Sequence, residues 1–324
     1  MVNRRRFIHA TALASLGGTH AAFAQAYPDR PLRMIIPFPP GGPVDAGGRL
    51  IATALAEALG QPVVIDTRSG AGGSVGVEAA AKSAPDGYTM VFGSTGALAV
   101  NITLVPNLGY DTRRDLVPIS VFMAVPMVMA SRAGLPAQDL TAVLTAARAK
   151  PGGLTVGSTG VGSPAHLIAE MMRLRGGIDF TVVHYRGAGP ALLALLSNEV
   201  DFSFLDPAVV TPHVKAGKMR AIATSGRDRN AAMPAVPTLV EAGLAGVEME
   251  NWYALMVPAA TPPDRVARLR AAVTRIAAKP GLFDTFISQG TRIIDLGPVE
   301  GAAFIRKEID TWSEVVRAAK MTAS

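Results

Sequence analysis

The chain has 324 residues, of which 49% are apolar and 17% charged. That balance excludes a disordered protein and leaves enough chain for two hydrophobic cores. It holds no cysteine, which excludes structural disulfides, a thiol nucleophile, thiolate metal sites and the lipid-bearing cysteine of an anchored lipoprotein. The formal net charge of +6 comes from scattered Lys and Arg that are not interleaved with aromatics, a pattern that argues against nucleic-acid binding.

The first predicted element is a targeting segment. Arg4, Arg5 and Arg6 form a basic head, Ala10 to Ala22 a short apolar run, and Ala22-Phe23-Ala24 a small-x-small exit. This predicts a cleaved export signal over residues 1–24, too short to span a bilayer. Asn3-Arg-Arg-Arg-Phe7-Ile8 resembles a twin-arginine signal, with an ordinary Sec signal as the alternative. Cleavage removes three arginines and no acid, bringing the charge from +6 to +3. No later run is long and apolar enough to anchor the chain; Val121 to Ala130 is interrupted by Pro126 and reads as core. A periplasmic protein free in solution is expected, and as a monomer.

From there, short β-branched runs alternate with Ala/Leu-rich stretches, which predicts parallel sheets covered by helices. Leu32 to Ile36 is a strand. A helix through Leu50, Ile51, Leu55 and Leu59 stops at Gly60. Strand Pro62–Asp66, helix Val75–Ser83 and strand Thr89–Gly93 complete a β-α-β-α-β unit. The pattern restarts with strand material over Ile119–Ser131, helix Leu140–Ala149 and strand Leu154–Gly157. Helix Ala165–Leu174, strand Phe180–His184, helix Pro190–Leu196, and strands Asp201–Leu205 and Met219–Ser225 follow. Strand Trp252–Val257 and helices Asp264–Ala278 and Val299–Ala319 return to cover the first unit. The fold class expected is therefore α/β with two lobes, residues 27–123 plus 250–324 and an inserted 124–249, hinged at two crossings.

Several loops follow a predicted strand and precede a predicted helix, the edge at which parallel α/β sheets bind ligands. They supply the candidate site: Phe38, Gly41, Gly42 and Asp45; Gly72 and Gly73; Ser94, Thr95 and Gly96; Ser158, Thr159, Ser163 and His166; Tyr185 and Gly187; and Asp206. Glycine lets a ligand approach backbone, and the free N–H groups and dipole of a helix start favour an anion. No Lys or Arg stands at the centre of the first four loops, so the economical ligand is a carboxylate held by N–H groups and hydroxyls. The plain alternative is that these glycines only make tight turns. Ser163-Pro164-Ala165-His166 predicts a helix start with Ser163 as N-cap. His166 either donates to a ligand or bonds locally, and Asp206 either accepts from a ligand amine or merely caps the next helix.

Enzymatic signatures are weak. Gly70-Ala-Gly72-Gly73-Ser-Val-Gly76 has the wrong spacing for a dinucleotide fingerprint, and the next strand, Thr89–Gly93, ends in Ser94 where a ribose-binding acid belongs. Gly157-Ser158-Thr159-Gly160 is not a nucleophile elbow. His166, His184 and His213 match no zinc motif. No cofactor, no metal and no catalytic residue are expected.

In order along the chain come Tyr27-Pro-x-Arg30-Pro-Leu-Arg33, Pro37-Phe-Pro-Pro-Gly-Gly42-Pro-x-Asp45, Gly70-Ala-Gly-Gly73 and Pro85-Asp-Gly-Tyr-Thr89. Tyr185-Arg-Gly187, Ala216-Gly-Lys218, Pro237-Thr238-x-x-Glu241-Ala-Gly243 and Pro258-x-x-Thr261-Pro262 follow. This ordered set resembles the Bug (TctC-like) receptors, the solute-binding proteins of tripartite tricarboxylate transporters. The resemblance implies a two-lobed periplasmic-binding-protein fold of type II and capture of a mono-, di- or tricarboxylate or an amino acid without metal. It further implies membrane permease subunits as partners, with a sensor kinase as the alternative. A carboxylate would lie against Phe38–Gly42, Gly72–Gly73 and Ser94–Gly96, with Ser158–His166, Tyr185–Gly187 and Asp206 facing it. The chain departs from the family at Val44, where Thr is usual, at Thr67, where Asn is usual, and at Asn198-Glu199, in place of a glycine turn.

Overall fold

The computed structural model describes residues 27–323, so the predicted export signal lies outside the described residues. Among the described residues, eleven strands fall into two sheets. The first holds β1 (Leu32–Ile36), β2 (Val63–Thr67), β3 (Thr89–Ser94), β4 (Leu116–Pro126), β10 (Glu250–Pro258) and β11 (Arg292–Leu296), in the order β11-β4-β10-β3-β1-β2. The second holds β5 (Val128–Arg132), β6 (Thr155–Ser158), β7 (Thr181–His184), β8 (Phe202–Leu205) and β9 (Met219–Thr224), in the order β7-β6-β8-β5-β9. Each sheet is the floor of one lobe, with helices on both faces.

The sheets are mixed, not parallel as the alternation predicted. β1, β2 and β3 are parallel, as are β6, β7 and β8. β10 runs antiparallel to both β3 and β4, and β5 antiparallel to β8 and β9. The cause is the insertion of one lobe in the other. A chain that leaves the first sheet and returns to it crosses in opposite directions, and both crossings here continue as strands. The apolar strand material expected over Ile119–Ser131 forms two strands in different sheets, divided at Met127. Ser225 ties the crossings together: Met127 N–H donates to Ser225 Oγ at 2.9 Å, and Ser225 Oγ donates to the Met249 carbonyl.

The helices are α1 (Pro43–Leu59), α2 (Ser74–Ala81), α3 (Asn101–Leu104), α4 (Thr112–Asp115), α5 (Leu140–Ala149), α6 (Pro164–Gly176), α7 (Ala188–Leu196), α8 (Pro207–Lys215), α9 (Pro263–Ala277), α10 (Asp284–Ser288) and α11 (Pro298–Ala318). α1 ends where Gly60 takes a left-handed conformation that other residues adopt at a cost, closing the last turn through its N–H to Ala56 O. One apolar core lies between α1, α9 and one face of the first sheet, including Ile51, Leu55, Phe92 and Leu269. A second core runs without interruption from Leu98, Leu104, Trp252 and Trp312 of the first lobe into Leu167 and Phe202 of the second. The lobes are thus pressed together on one side. Glu308 of α11, half-buried, accepts from the indole N–H groups of Trp252 at 2.8 Å and Trp312 at 2.9 Å, fastening α11 to β10. None of the described helices is long and apolar enough to cross a membrane.

Candidate functional site

The site is built from strand ends upward. After β1 the chain turns through Pro37–Gly42, and α1 begins with no side-chain cap at Gly42, leaving first-turn N–H groups without a side-chain partner. Asp45 sits in that turn, yet both its oxygens are engaged. Gly41 N–H donates to Oδ2 at 3.0 Å and Arg49 Nε to Oδ1 at 2.8 Å. The Arg49 guanidinium holds this buried carboxyl below the usual carboxylate range. Asp45 therefore braces the loop.

The loop after β2 turns through Gly70, Gly72 and Gly73, all at positive φ. A Cβ on Gly73 would lie 2.8 Å from the Ala97 Cβ and 2.9 Å from Phe38 Cζ, so three loops of this lobe meet at one point where only glycine fits. Asn101 Nδ2 supports the turn from behind, donating to Ser74 Oγ at 2.9 Å and to Gly72 O at 3.3 Å. After β3 the chain makes a wide π turn over Gly96–Val100, a form enriched at functional sites. The Thr95 hydroxyl is occupied: it accepts from Trp252 N–H at 2.9 Å and locks β3 to β10. Ser94 is buried beside it.

The second lobe presents a different kind of surface. Ser158 ends β6, and its Oγ accepts from Gly160 N–H at 3.1 Å and lies 3.0 Å from His184 Nδ1. Thr159 follows on the same loop. Ser163 caps α6 as predicted, accepting from His166 N–H at 3.3 Å. His166 bonds locally: its Nδ1 accepts from Gly162 N–H at 3.2 Å and its Nε2 faces Glu170 Oε1 at 3.6 Å. His166 and His184 meet edge to face with centroids 4.5 Å apart. Partial burial and His166 hold the His184 pKa down. Burial pushes the Glu170 carboxyl up, but His166 and Arg173 outweigh it and leave the net shift downward. Ser158 and His184 are within nucleophile–base reach, but Ser158 Oγ donates to Gly160 O at 2.9 Å, directing its proton away from His184.

Tyr185 stacks its loop on the previous one, its N–H donating to Ser158 O at 2.9 Å, while its hydroxyl donates outward to Glu199 Oε1 at 2.7 Å. Gly187 starts α7 at φ +107° with no side chain to cap it. Asp206 stands at the N-cap position of α8 but makes no cap bond, so the capping alternative fails. Its Oδ1 is buried and finds no partner among the described residues. Burial pushes the Asp206 pKa up to about 6, against a smaller pull from its own backbone N–H. Burial and then the Asp206 charge push the Tyr253 hydroxyl well up.

The two sets of loops abut. A Cβ on Gly96 would lie 3.7 Å from Gly162 O, and one on Gly162 would lie 2.4 Å from Leu104 Cδ2. Of the predicted residues, Phe38, Gly72, Gly73 and Gly96 converge in the first lobe, and Ser158, Ser163, His166 and the Tyr185 backbone in the second. Asp45, Thr95 and the Tyr185 hydroxyl spend their side chains within the protein. Asn101, His184, Asn251 and Tyr253 belong to this region and were not predicted, and Gly162 was expected only as part of the Ser158–His166 loop. Gly162 had a signal, two glycines before Ser163-Pro164, whereas Asn101 and Asn251 had none. A cavity of about 260 Å³ lies apart from these loops, bounded by Pro126, Asn230, Gly290 and Ile293. Of its charged lining residues, Arg292 pairs with Glu250, and Arg229 pairs with Glu241 nearby. No group of three His, Asp or Glu that could hold a metal occurs among the described residues.

The family model described as tripartite tricarboxylate transporter family receptor matches residues 48–321. Protein BugT of Bordetella pertussis is 37% identical over 306 residues, covering 94% of each chain. Among solved structures, Rpa4515 of R. palustris with adipate superposes at a TM-score of 0.83 with 30% identity, over 91% of this chain and 99% of that one. MatC of Rhodopseudomonas palustris with bound malate gives 0.79 and 31%, over 90% and 100%.

Proposed function

Since the chain belongs to the tripartite tricarboxylate transporter receptor family, we propose that it is a periplasmic solute receptor that closes two lobes on a small carboxylate and presents it to membrane permease subunits. The lobes are residues 27–123 with 250–324, and 124–249. The carrying observation is the meeting of Phe38, Gly73 and Ala97 opposite Gly162. It brings glycine-lined turns and an uncapped helix start to one place, where backbone N–H groups can hold an anion without a cation. The adipate and malate held by Rpa4515 and MatC support a small organic acid as ligand. The ligand carboxylate contacts the Phe38–Gly42, Gly72–Gly73 and Ser94–Gly96 backbones, and Ser158–His166, Gly187 and Asp206 close over its far end.

The protein acts by binding, as a monomer, and performs no chemistry on its ligand. Export by the N-terminal signal delivers it to the periplasm without a lipid anchor. A thermal-shift screen of mono-, di- and tricarboxylates and amino acids tests this. A cognate acid at a hundredfold excess over its Kd stabilises the folded state by about 2.7 kcal/mol and raises Tm. Failure of every acid to do so refutes the proposal, and chemical conversion of the bound acid points to an enzyme instead. Capture of the liganded protein by permease subunits, in preference to a sensor kinase, checks the partner.

A further inference from the structure

We infer that the ligand carries a hydrogen-bond donor, a hydroxyl or an ammonium group, at the end that meets Asp206, so that an unsubstituted carboxylic acid of the same length is a poorer ligand. The inference rests on the receptor function proposed above and narrows its substrate class.

Strand register fixes the geometry. Leu205 pairs with Val128, and Asn251 with Val125, so Asp206 and Asn251 flank the first crossing from the second and first lobes respectively. β10 lies next to β3 and β8 next to β6, whose ends carry the converging loops, and the Asp206 charge reaches the Tyr253 hydroxyl to which Asn251 is bonded. Each presents an acceptor with nothing to accept. Asp206 Oδ1 and Asn251 Oδ1 are both buried and without a partner among the described residues. Asn251 Nδ2 is already used, donating to the Tyr253 hydroxyl at 2.8 Å.

Ordinary structural roles for Asp206 are closed off. It does not cap α8, though it stands in the capping position. No cation contributes to its ionisation, and it forms no ion pair among the described residues. A buried acceptor left without a donor is costly, and native proteins nearly always satisfy one. A second ligand carboxylate at this point would set two anions side by side, which raises the cost. A donor removes it. The complement of two orphaned acceptors flanking one crossing is a hydroxyl or ammonium group on the ligand.

The test compares acids of equal carbon count at pH 8: succinate against malate and aspartate, glutarate against 2-hydroxyglutarate and glutamate, and pentanoate against 5-hydroxypentanoate and 5-aminopentanoate. Titration calorimetry gives each Kd for the wild-type protein and for Asp206→Asn, with thermal unfolding as the control for folding. In at least one set the donor-bearing acid is expected to bind at least tenfold tighter than the plain acid, and Asp206→Asn to shrink that ratio to less than threefold. Plain acids that bind as tightly as their donor-bearing partners in every set overturn the inference and leave the receptor function standing. So does an Asp206→Asn variant that keeps the wild-type ratio. Binding of no acid at all overturns the receptor function and this inference with it.

Discussion

The two lobes meet the cleft with opposite chemistry. In the first, side chains near the loops are consumed in holding backbone: Asp45 grips Gly41 and Arg49, Thr95 grips Trp252, and Asn101 grips Gly72 and Ser74. What is left to face a ligand is glycine backbone. In the second, the loops carry a cluster of polar side chains, Ser158, His184 and His166, and the unsatisfied Asp206. A backbone cradle suits what all ligands share, a carboxylate, because N–H groups do not read substituents. Side chains suit what distinguishes ligands. Under the proposed function this gives a division of labour, with class recognition in one lobe and identity in the other.

The largest effect should come from breaking the contact between the halves. Gly162→Val puts bulk where even a Cβ lies 2.4 Å from Leu104 Cδ2, at a φ of +71° that disfavours β-branched residues. Affinity for every ligand should fall at least a hundredfold, about 2.8 kcal/mol. Calorimetry reads the loss, and an unchanged far-UV circular dichroism spectrum shows that both lobes still fold.

Next is Asp206→Asn, read as stability and not binding. Its folded pKa of about 6 stands above the unfolded value of 3.8. The folded state thus holds the extra proton between those values, and stability falls as pH rises from about 4 to 6. With each pKa unit worth about 1.4 kcal/mol and part of the residue open to solvent, the cost at pH 7 is about 2 kcal/mol. Asp206→Asn should raise the urea midpoint at pH 7 and leave it nearly unchanged at pH 4. An equal effect at both pH values would place Asp206 in no buried site.

Gly73→Ala probes the cradle. Its φ of +94° and the close Ala97 and Phe38 atoms predict roughly tenfold weaker binding, about 1.4 kcal/mol, for all carboxylates alike. A change that depends on the ligand's far end would erase the contrast between lobes. The smallest effect belongs to Tyr185→Phe. Its hydroxyl bonds exposed Glu199, so stability and affinity should change by less than about 0.5 kcal/mol. A larger loss of affinity would move that hydroxyl to the ligand.

Elements bounded by local signals were legible. The helix at Leu140–Ala149 and the strand at Leu32–Ile36 have the predicted ends. α8 was expected after Asp206 but without bounds, because Pro212 interrupts its pattern, and β11 escaped notice because Arg292 and Asp295 make it read as polar loop. The candidate loops were legible as glycine-rich strand-to-helix turns. Which of their side chains are free was not. Asp45 and Thr95 look like ligand groups in sequence and are spent in the fold, while Asn251 carried no sign of its place.

The amino-acid sequence by itself determined the alternation of strands and helices, the loops that punctuate it and the family. Each rests on residues within a few positions of one another, where hydrophobic period and turn chemistry act. Only the tertiary structure decided the mixed sheet order, the clasp of the crossings at Ser225, and the contact of Gly96 with Gly162. It also decided which polar atoms stay unpaired. Those depend on partners far apart in the chain, Thr95 with Trp252 across 157 positions and Met127 with Ser225 across 98, and no local pattern encodes who meets whom.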